Sequence, residues 1–306
     1  MKSFLKILIL GIFITGMIGC FGIEDKKIYG VAETELNTWE AGEGWNLSWS
    51  DEFNDGVFDT DTWTRQVMLN PPNNELETYT GDESTAYEEN GNMVLKATHN
   101  GGAYNQPDSY TSARVISNPG GTSGIEGVTG KTFLYGKIAA RIKLPGGKGV
   151  WPAFWMLGDN ISETGGDTDW PQCGEIDILE SGGLNDPNYG QGTVHGTIHR
   201  DPGTELSPLG DNEYLEAGTV TLENEELFND DFHVFEIEWD AQQIVWKLDG
   251  VQFGLKNISA DIENEFHEDF YVIFNIAMGG WFTTIPDSTT ETPQYMYIDW
   301  IRHYIK

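Results

Sequence analysis

Three carboxylates are interleaved with aliphatic residues in Cys173-Gly174-Glu175-Ile176-Asp177-Ile178-Leu179-Glu180. Side chains alternate between faces on a regular strand, so Glu175 and Asp177 share one face and Ile176 and Ile178 the other. Glu180 would then fall among the isoleucines, where an unpaired carboxylate costs several kcal/mol. One extra residue at Ile178-Leu179, a β-bulge with Leu179 as the residue accommodated, returns Glu180 to the face of the other two acids, and bulges recur beside active sites because they re-aim side chains. Two carboxyl groups about 5–5.5 Å apart suit a retaining glycosidase, in which one attacks the anomeric carbon and the other protonates the leaving oxygen. Like charges that close cannot all ionise cheaply, so at least one acid is expected to keep its proton near neutral pH, a general acid without His or metal. The spacing alone leaves two other uses open: a solvated acidic strand face, and calcium binding by the three acids. Cys173 has no Ser- or Cys-His-Asp arrangement around it and reads as inert, buried packing.

Such a strand needs a sheet to hold it. Runs with strand character include Met93–Ala97, Lys137–Leu144, Val234–Trp239 and Tyr297–Arg302, several with clear period-two alternation. Turn signals such as Asn90-Gly91-Asn92, Pro145-Gly146-Gly147 and Asp249-Gly250 separate them, and no long amphipathic helix appears. The expected fold is all-β, two packed antiparallel sheets. Trp151 and Trp155, four apart on a strand, are expected to face one way with Phe154 and Met156 opposite; flat sugar faces stack on indoles, and core packing is the alternative. With no repeat and no second composition regime, residues 45–306 read as one domain.

The formal net charge is −32, from 17 Lys+Arg against 49 Asp+Glu, which excludes nucleic acid and anionic membrane surfaces as natural partners and favours a neutral ligand. Lys2 and Lys6 flank an apolar run too short and too broken by glycine for a membrane span, ending in Gly16-Met17-Ile18-Gly19-Cys20. Residues 1–19 are therefore expected to be a signal peptide. Met17-Ile18-Gly19-Cys20 resembles a bacterial lipobox, which would make Cys20 the lipidated first residue of the mature chain. Residues 20–44 are polar and acidic, as expected of a tether. A lipid on Cys20 leaves Cys173 without a disulfide partner. The implied location is the cell envelope, as a lipoprotein of the outer membrane or cell surface, or the extracellular space.

Glu175–Glu180 resembles the signature of glycoside hydrolase family 16, in the bulged form of laminarinases. Trp45–Phe53, Asn73–Tyr79, Tyr110–Arg114, Gly149–Met156 and His195–His199 resemble laminarinase segments in the same order. The resemblance implies a β-jelly-roll, concanavalin A-like sandwich with a concave cleft. It also implies Glu175 as nucleophile, Glu180 as acid/base and Asp177 as the residue that orients and tunes the nucleophile; the residues by themselves do not say which Glu does which. It places Trp151, Trp155, Asn74, Arg114, His199 and Trp281 along the sugar cleft, although the family's Gly-Gly-Asn-Trp is here Gly279-Gly280-Trp281 without the Asn. His195 reads as structural. No cofactor is implied for catalysis; a structural calcium would lie on the other side, near Glu52, Gly91 and Asp299.

The function expected is an endo-β-1,3-glucanase working as a monomer, with mixed 1,3/1,4 linkage a further substrate. A hydrolase of agar- or carrageenan-type galactan shares the bulged triad, but sulfated chains need Arg and Lys in the cleft. A non-catalytic sugar-binding module would have no reason to keep three acids on one face.

Overall fold

The computed structural model describes residues 39–117, 130–182, 191–202, 213–258 and 264–306, with the backbone of Lys26–Ile28. Among these, helix is confined to two 3-10 turns, Ser162–Thr164 and Asn264–His267. The alternating runs become strands at the expected places: Asn92–His99, Gly136–Lys143, His233–Trp239 and Gln294–Ile305.

Two sheets result, forming the β-jelly-roll sandwich. One runs Lys26–Ile28, Glu213–Leu222, Thr193–Arg200, Glu175–Glu180, Val150–Gly158, Phe270–Met278, Arg114–Ile116, Thr64–Arg65. The other runs Val251–Asn257, Gln243–Leu248, His233–Trp239, Gly136–Lys143, Gln294–Ile305, Asn92–His99, Tyr110–Ser112, Glu77–Tyr79. Pairing along both is antiparallel apart from Lys26–Ile28 with Glu213–Leu222 and Glu77–Tyr79 with Tyr110–Ser112.

The core lies between the sheets. Phe154 and Met156 reach it from the first, with Phe154 stacked on Phe274 at 4.8 Å, and Phe235, Ile237 and Trp246 reach it from the second. Each fully buried side chain of this size contributes about 1.5–3 kcal/mol. An exposed ion pair adds at most about 1 kcal/mol, so apolar burial outweighs the charged surface in holding this fold.

The acidic strand carries its bulge where the cost of burying Glu180 demands one. Against the Val150–Gly158 strand, Asp177 faces Trp155, Leu179 faces Phe154 and Glu180 faces Ala153, leaving Ile178, and not the expected Leu179, as the extra residue. Against the Thr193–Arg200 strand, Ile178 and Leu179 together span the single Gly196 between Thr197 and His195. Ile176, Ile178 and Leu179 all enter the core. Gly196 is required there, because a Cβ would lie 2.5 Å from Cδ1 of the buried Trp246, whose Nε1 donates to the Asp177 carbonyl at 2.7 Å.

Two residues ahead of the expected domain start at Trp45 pack on the sandwich. The Trp39 ring lies 5.2 Å from that of Trp300, and the Ala41 carbonyl accepts from Lys137 Nζ at 2.7 Å, so these residues assigned to the tether gain aromatic burial and a charge-assisted bond by packing on the sandwich. Lys26–Ile28 also extends the first sheet. Residues 1–19 and Cys20 lie outside the described residues. Cys173 is free and buried, and burial together with the nearby Glu175 pushes its thiol up to about 12, which leaves it unreactive as a nucleophile.

Candidate active site

Strand register sets the acids in rows across the outer face of the first sheet. Leu157, Glu175, His199 and Tyr214 form one row; Trp155, Asp177 and Thr197 the next; Asn275, Ala153, Glu180 and His195 the third. The three acids therefore share a face, as their spacing requires once Ile178 is bulged.

Their surroundings differ. Glu175 accepts from Trp170 Nε1 at 2.9 Å, and His199 Nε2 lies 3.4 Å from both Glu175 Oε1 and Asp177 Oδ2. Glu180 accepts from Trp151 Nε1 at 2.9 Å. Burial and repulsion from Asp177 push Glu175 up to about 7, with His199, the Trp170 N–H and Arg114 pulling the other way. Burial and Asp177 drive Glu180 well above the carboxylate range. Burial opposes charge on His199, yet Glu175, Asp177 and Glu180 together raise it to about 10, so it is a cation among acids at neutral pH. Glu175, Asp177 and His199 also offer three metal-ligating atoms within 4.8 Å of one another. A protonated imidazole has no lone pair for a metal, and it supplies the positive charge that the acids need.

The remaining cleft residues fall into two groups. Trp151 and Trp155 lie on the face of the acids, and Trp155 donates to Asn275 Oδ1 at 2.7 Å while the Arg114 guanidinium sits 4.8 Å from its ring. Arg114 is buried and paired with Glu163 at 3.3 Å. Trp281 and Asn74 stand at one end: Trp281 is 69% exposed, and its N–H donates to the Asn73 carbonyl at 3.0 Å. Asn73 and Asn74 both adopt left-handed backbone, with φ of 64° and 58°, to make that turn. Gly280 is needed beside it, since its φ is +97° and a Cβ would lie 2.9 Å from the Trp151 ring. His195, expected to be structural, sits on the cleft face opposite Glu180, with Nδ1 3.2 Å from Thr219 Oγ1.

Paired carboxyls, one raised well above the carboxylate range and one kept near 7 against burial by a cation, are the arrangement for acid-assisted nucleophilic displacement at a sugar carbon. A model of glycosyl hydrolases family 16 matches residues 73–302. The chain belongs to this family. It is 33% identical over 250 residues to a glucan endo-1,3-beta-glucosidase of Cryptopygus antarcticus, covering 78% of this chain and 82% of that protein. It is 33% identical over 272 residues to a beta-glucanase of Rhodothermus marinus, with 85% of each covered. Among solved structures it resembles the laminarinase catalytic domain of Thermotoga maritima MSB8, at a TM-score of 0.68 and 38% identity over 86% of this chain and 98% of that one. The protein is thus a glycoside hydrolase, and the family's chemistry needs no cofactor.

Trp170 bonds to Glu175, Glu163 to Arg114 and Asn275 to Trp155, with Tyr79 and Glu75 behind Asn275, and the sequence assigned no role to these five. The signal for Trp170 is faint: it stands five positions before Glu175, in a loop without periodicity. On the other sheet, Glu52, Gly91 and Asp299 do converge, lining one cavity of about 350 Å³ with Trp39, Asn54, Asn90, Trp300 and Arg302. Both Glu52 carboxylate oxygens accept from Arg302, at 2.8 and 2.7 Å, and Asp299 Oδ2 accepts from Arg141 at 2.8 Å. Backbone carbonyls and the second carboxylate oxygen of Asp299 are hard donors of the kind that calcium takes.

Proposed function

We propose that this family 16 enzyme cleaves β-1,3-linked glucan internally, with mixed-linkage β-glucan a further substrate, and retains the anomeric configuration. The unequal surroundings of the two glutamates carry the reading. Glu175, with His199 and Trp170 to favour its ionised form, attacks the anomeric carbon as Glu180 gives its proton to the departing glycosidic oxygen. Glu180 then takes a proton from water, whose oxygen displaces Glu175 from the anomeric carbon; one water is consumed and Glu180 regains its proton. Asp177, 3.4 Å from His199, orients the imidazolium and so tunes Glu175. Trp151, Trp155, Asn74, Arg114, His199 and Trp281 line the path of the chain. The relatives named above support the glucan substrate. A sulfated galactan is disfavoured because Arg114 and Arg200 are already neutralised by Glu163 and Glu213.

Stereochemistry tests the assignment. Proton NMR of a fresh laminarin digest is expected to show the β-anomer of the new reducing end first, decaying by mutarotation. An α-anomer appearing first would remove Glu175 as nucleophile, because inversion needs carboxyls about 6.5–9.5 Å apart. Reducing ends released from agarose or carrageenan but not from laminarin or lichenan would overturn the substrate.

The proposal extends to the chain's ends and edges: a structural calcium held by the Glu52 and Gly91 carbonyls and Asp299, and export with acylation at Cys20 to the cell envelope. Cys20→Ala is expected to abolish fatty-acid labelling and leave glucanase activity unchanged, because every cleft residue named above lies at Asn74 or later in the chain. Label persisting in that variant refutes the anchor.

A further inference from the structure

Glu77 is a buried carboxylate outside the catalytic strand. Its Oε2 accepts from the Met278 N–H at 2.7 Å, and Leu76 N–H donates to the Met278 carbonyl at 2.8 Å, so the end of the Phe270–Met278 strand is clamped to this segment. Its other oxygen, Oε1, is buried with no N–H or O–H at hydrogen-bonding geometry among the described residues, although the Tyr79 hydroxyl lies close to the carboxyl. The acid that acts on it, by repulsion and by a side-chain hydrogen bond, is Glu75. A buried carboxylate oxygen without a donor costs several kcal/mol if charged, whereas a protonated one facing another carboxylate becomes the donor.

Glu75 is the terminus of a chain of bonds whose direction is forced. The Trp155 indole only donates, so at 2.7 Å it must face Asn275 Oδ1. The Asn275 amide then donates to the Tyr79 hydroxyl at 3.1 Å, and that hydroxyl donates to Glu75 Oε2 at 3.1 Å. Asn73 Nδ2 donates to Glu75 Oε1 at 3.2 Å. Every bond runs toward Glu75, which must therefore remain an acceptor.

We propose that Glu77 is a positioning residue: its proton, donated to Glu75, fixes a one-way hydrogen-bond chain through Tyr79 and Asn275 that orients the Trp155 indole in the cleft. This rests on the reading in which Trp155 contacts the glucan. Burial and repulsion from Glu75 hold Glu77 protonated well above the carboxylate range. The titratable groups facing it are Glu75 and Tyr79, with Arg114 acting on Tyr79 from the neighbouring strand; Met278 offers only its backbone. Loss of the proton at high pH puts two charges side by side and frees the chain.

The test is laminarihexaose binding to the full chain carrying Glu180→Gln, which binds without turnover, measured by calorimetry from pH 6 to 10. Glu77→Gln keeps a donor toward Glu75 and an acceptor for Met278 without a titrating proton, so affinity is expected within about twofold of the parent. Glu77→Met and Tyr79→Phe each weaken binding by about three- to tenfold, the worth of one hydrogen bond, and together they cost little more than either alone. With Glu180 restored, both raise KM and leave kcat nearly unchanged. The parent loses more affinity at alkaline pH than Glu77→Gln, which keeps only the titrations of Glu175 and His199 that the two proteins share. Equal loss in Glu77→Gln and Glu77→Met, additive losses, or the same alkaline decline in Glu77→Gln overturns the proposal. If Glu77→Met fails to fold, Tyr79→Phe and the pH comparison decide it. A parent that binds no laminarihexaose overturns the glucan reading beneath it instead.

Discussion

Glu175→Gln and Glu180→Gln should each abolish most turnover on laminarin while the protein stays folded, since each removes chemistry and keeps volume. General acid–base assistance is worth about 10²–10⁴-fold, which sets the loss for Glu180→Gln on a natural leaving group. Glu175→Gln removes the covalent step itself and should lose at least as much. The two variants separate by leaving group. An aryl β-glucoside whose phenolate departs without a proton should regain its first step in Glu180→Gln but not in Glu175→Gln. The pH profile separates them again. Wild-type kcat/KM should rise as Glu175 loses its proton near pH 7 and fall as Glu180 loses its own at higher pH. The part of the alkaline limb that belongs to Glu180 should vanish in Glu180→Gln, leaving only the titration of the other cleft groups, His199 among them. Near-normal rates in either variant would sink the assignment of the acids.

Gly196→Ala should be the most damaging substitution that touches no acid. The added methyl would sit 2.5 Å from Trp246 Cδ1, with Cγ and Nε1 each at 2.9 Å, in a part of the core without room to yield. Overpacking of this kind costs about 1–3 kcal/mol. Moving the indole also strips the Asp177 carbonyl of its 2.7 Å bond, and a buried acceptor left unpaired costs about 1–3 kcal/mol more. Because Gly196 alone faces the bulge, the displacement passes to Asp177 and Glu180, and an error near 1 Å in reacting groups can cost about 10²-fold in rate. Denaturant unfolding should show a lower midpoint with unchanged slope, and kcat should fall together with it. An unaltered midpoint with full kcat would show that the bulge does not depend on this contact. Trp246→Phe removes the N–H together with the five-membered ring, so it should add the cost of a small cavity to that of the orphaned Asp177 carbonyl while leaving room for the methyl at Gly196.

The sandwich was legible in the sequence because strand alternation is local: Phe154 and Met156 against Trp151 and Trp155, or Ile176 against Glu175 and Asp177, follow from a period of two. The need for a bulge was legible too, because Glu180 would otherwise be buried without a partner. Which residue is extra was not, since Ile178 and Leu179 are both aliphatic and both enter the core. Only pairing of Leu179 with Phe154 singles out Ile178. The roles of the two glutamates were equally hidden, because the groups that distinguish them arrive from elsewhere: His199 from the next strand, Trp170 from a loop, Trp151 from the strand on the other side. Trp39 gave no periodic signal and joins the domain only because Trp300 is there to receive it. The link from Asn275 to Tyr79 spans 196 positions of chain. Local spacing determined what the acidic strand could do and which way its side chains point. The proton affinities that divide nucleophile from acid depend on burial and on charges a few ångströms away in space, and only the packed sheets bring those charges there.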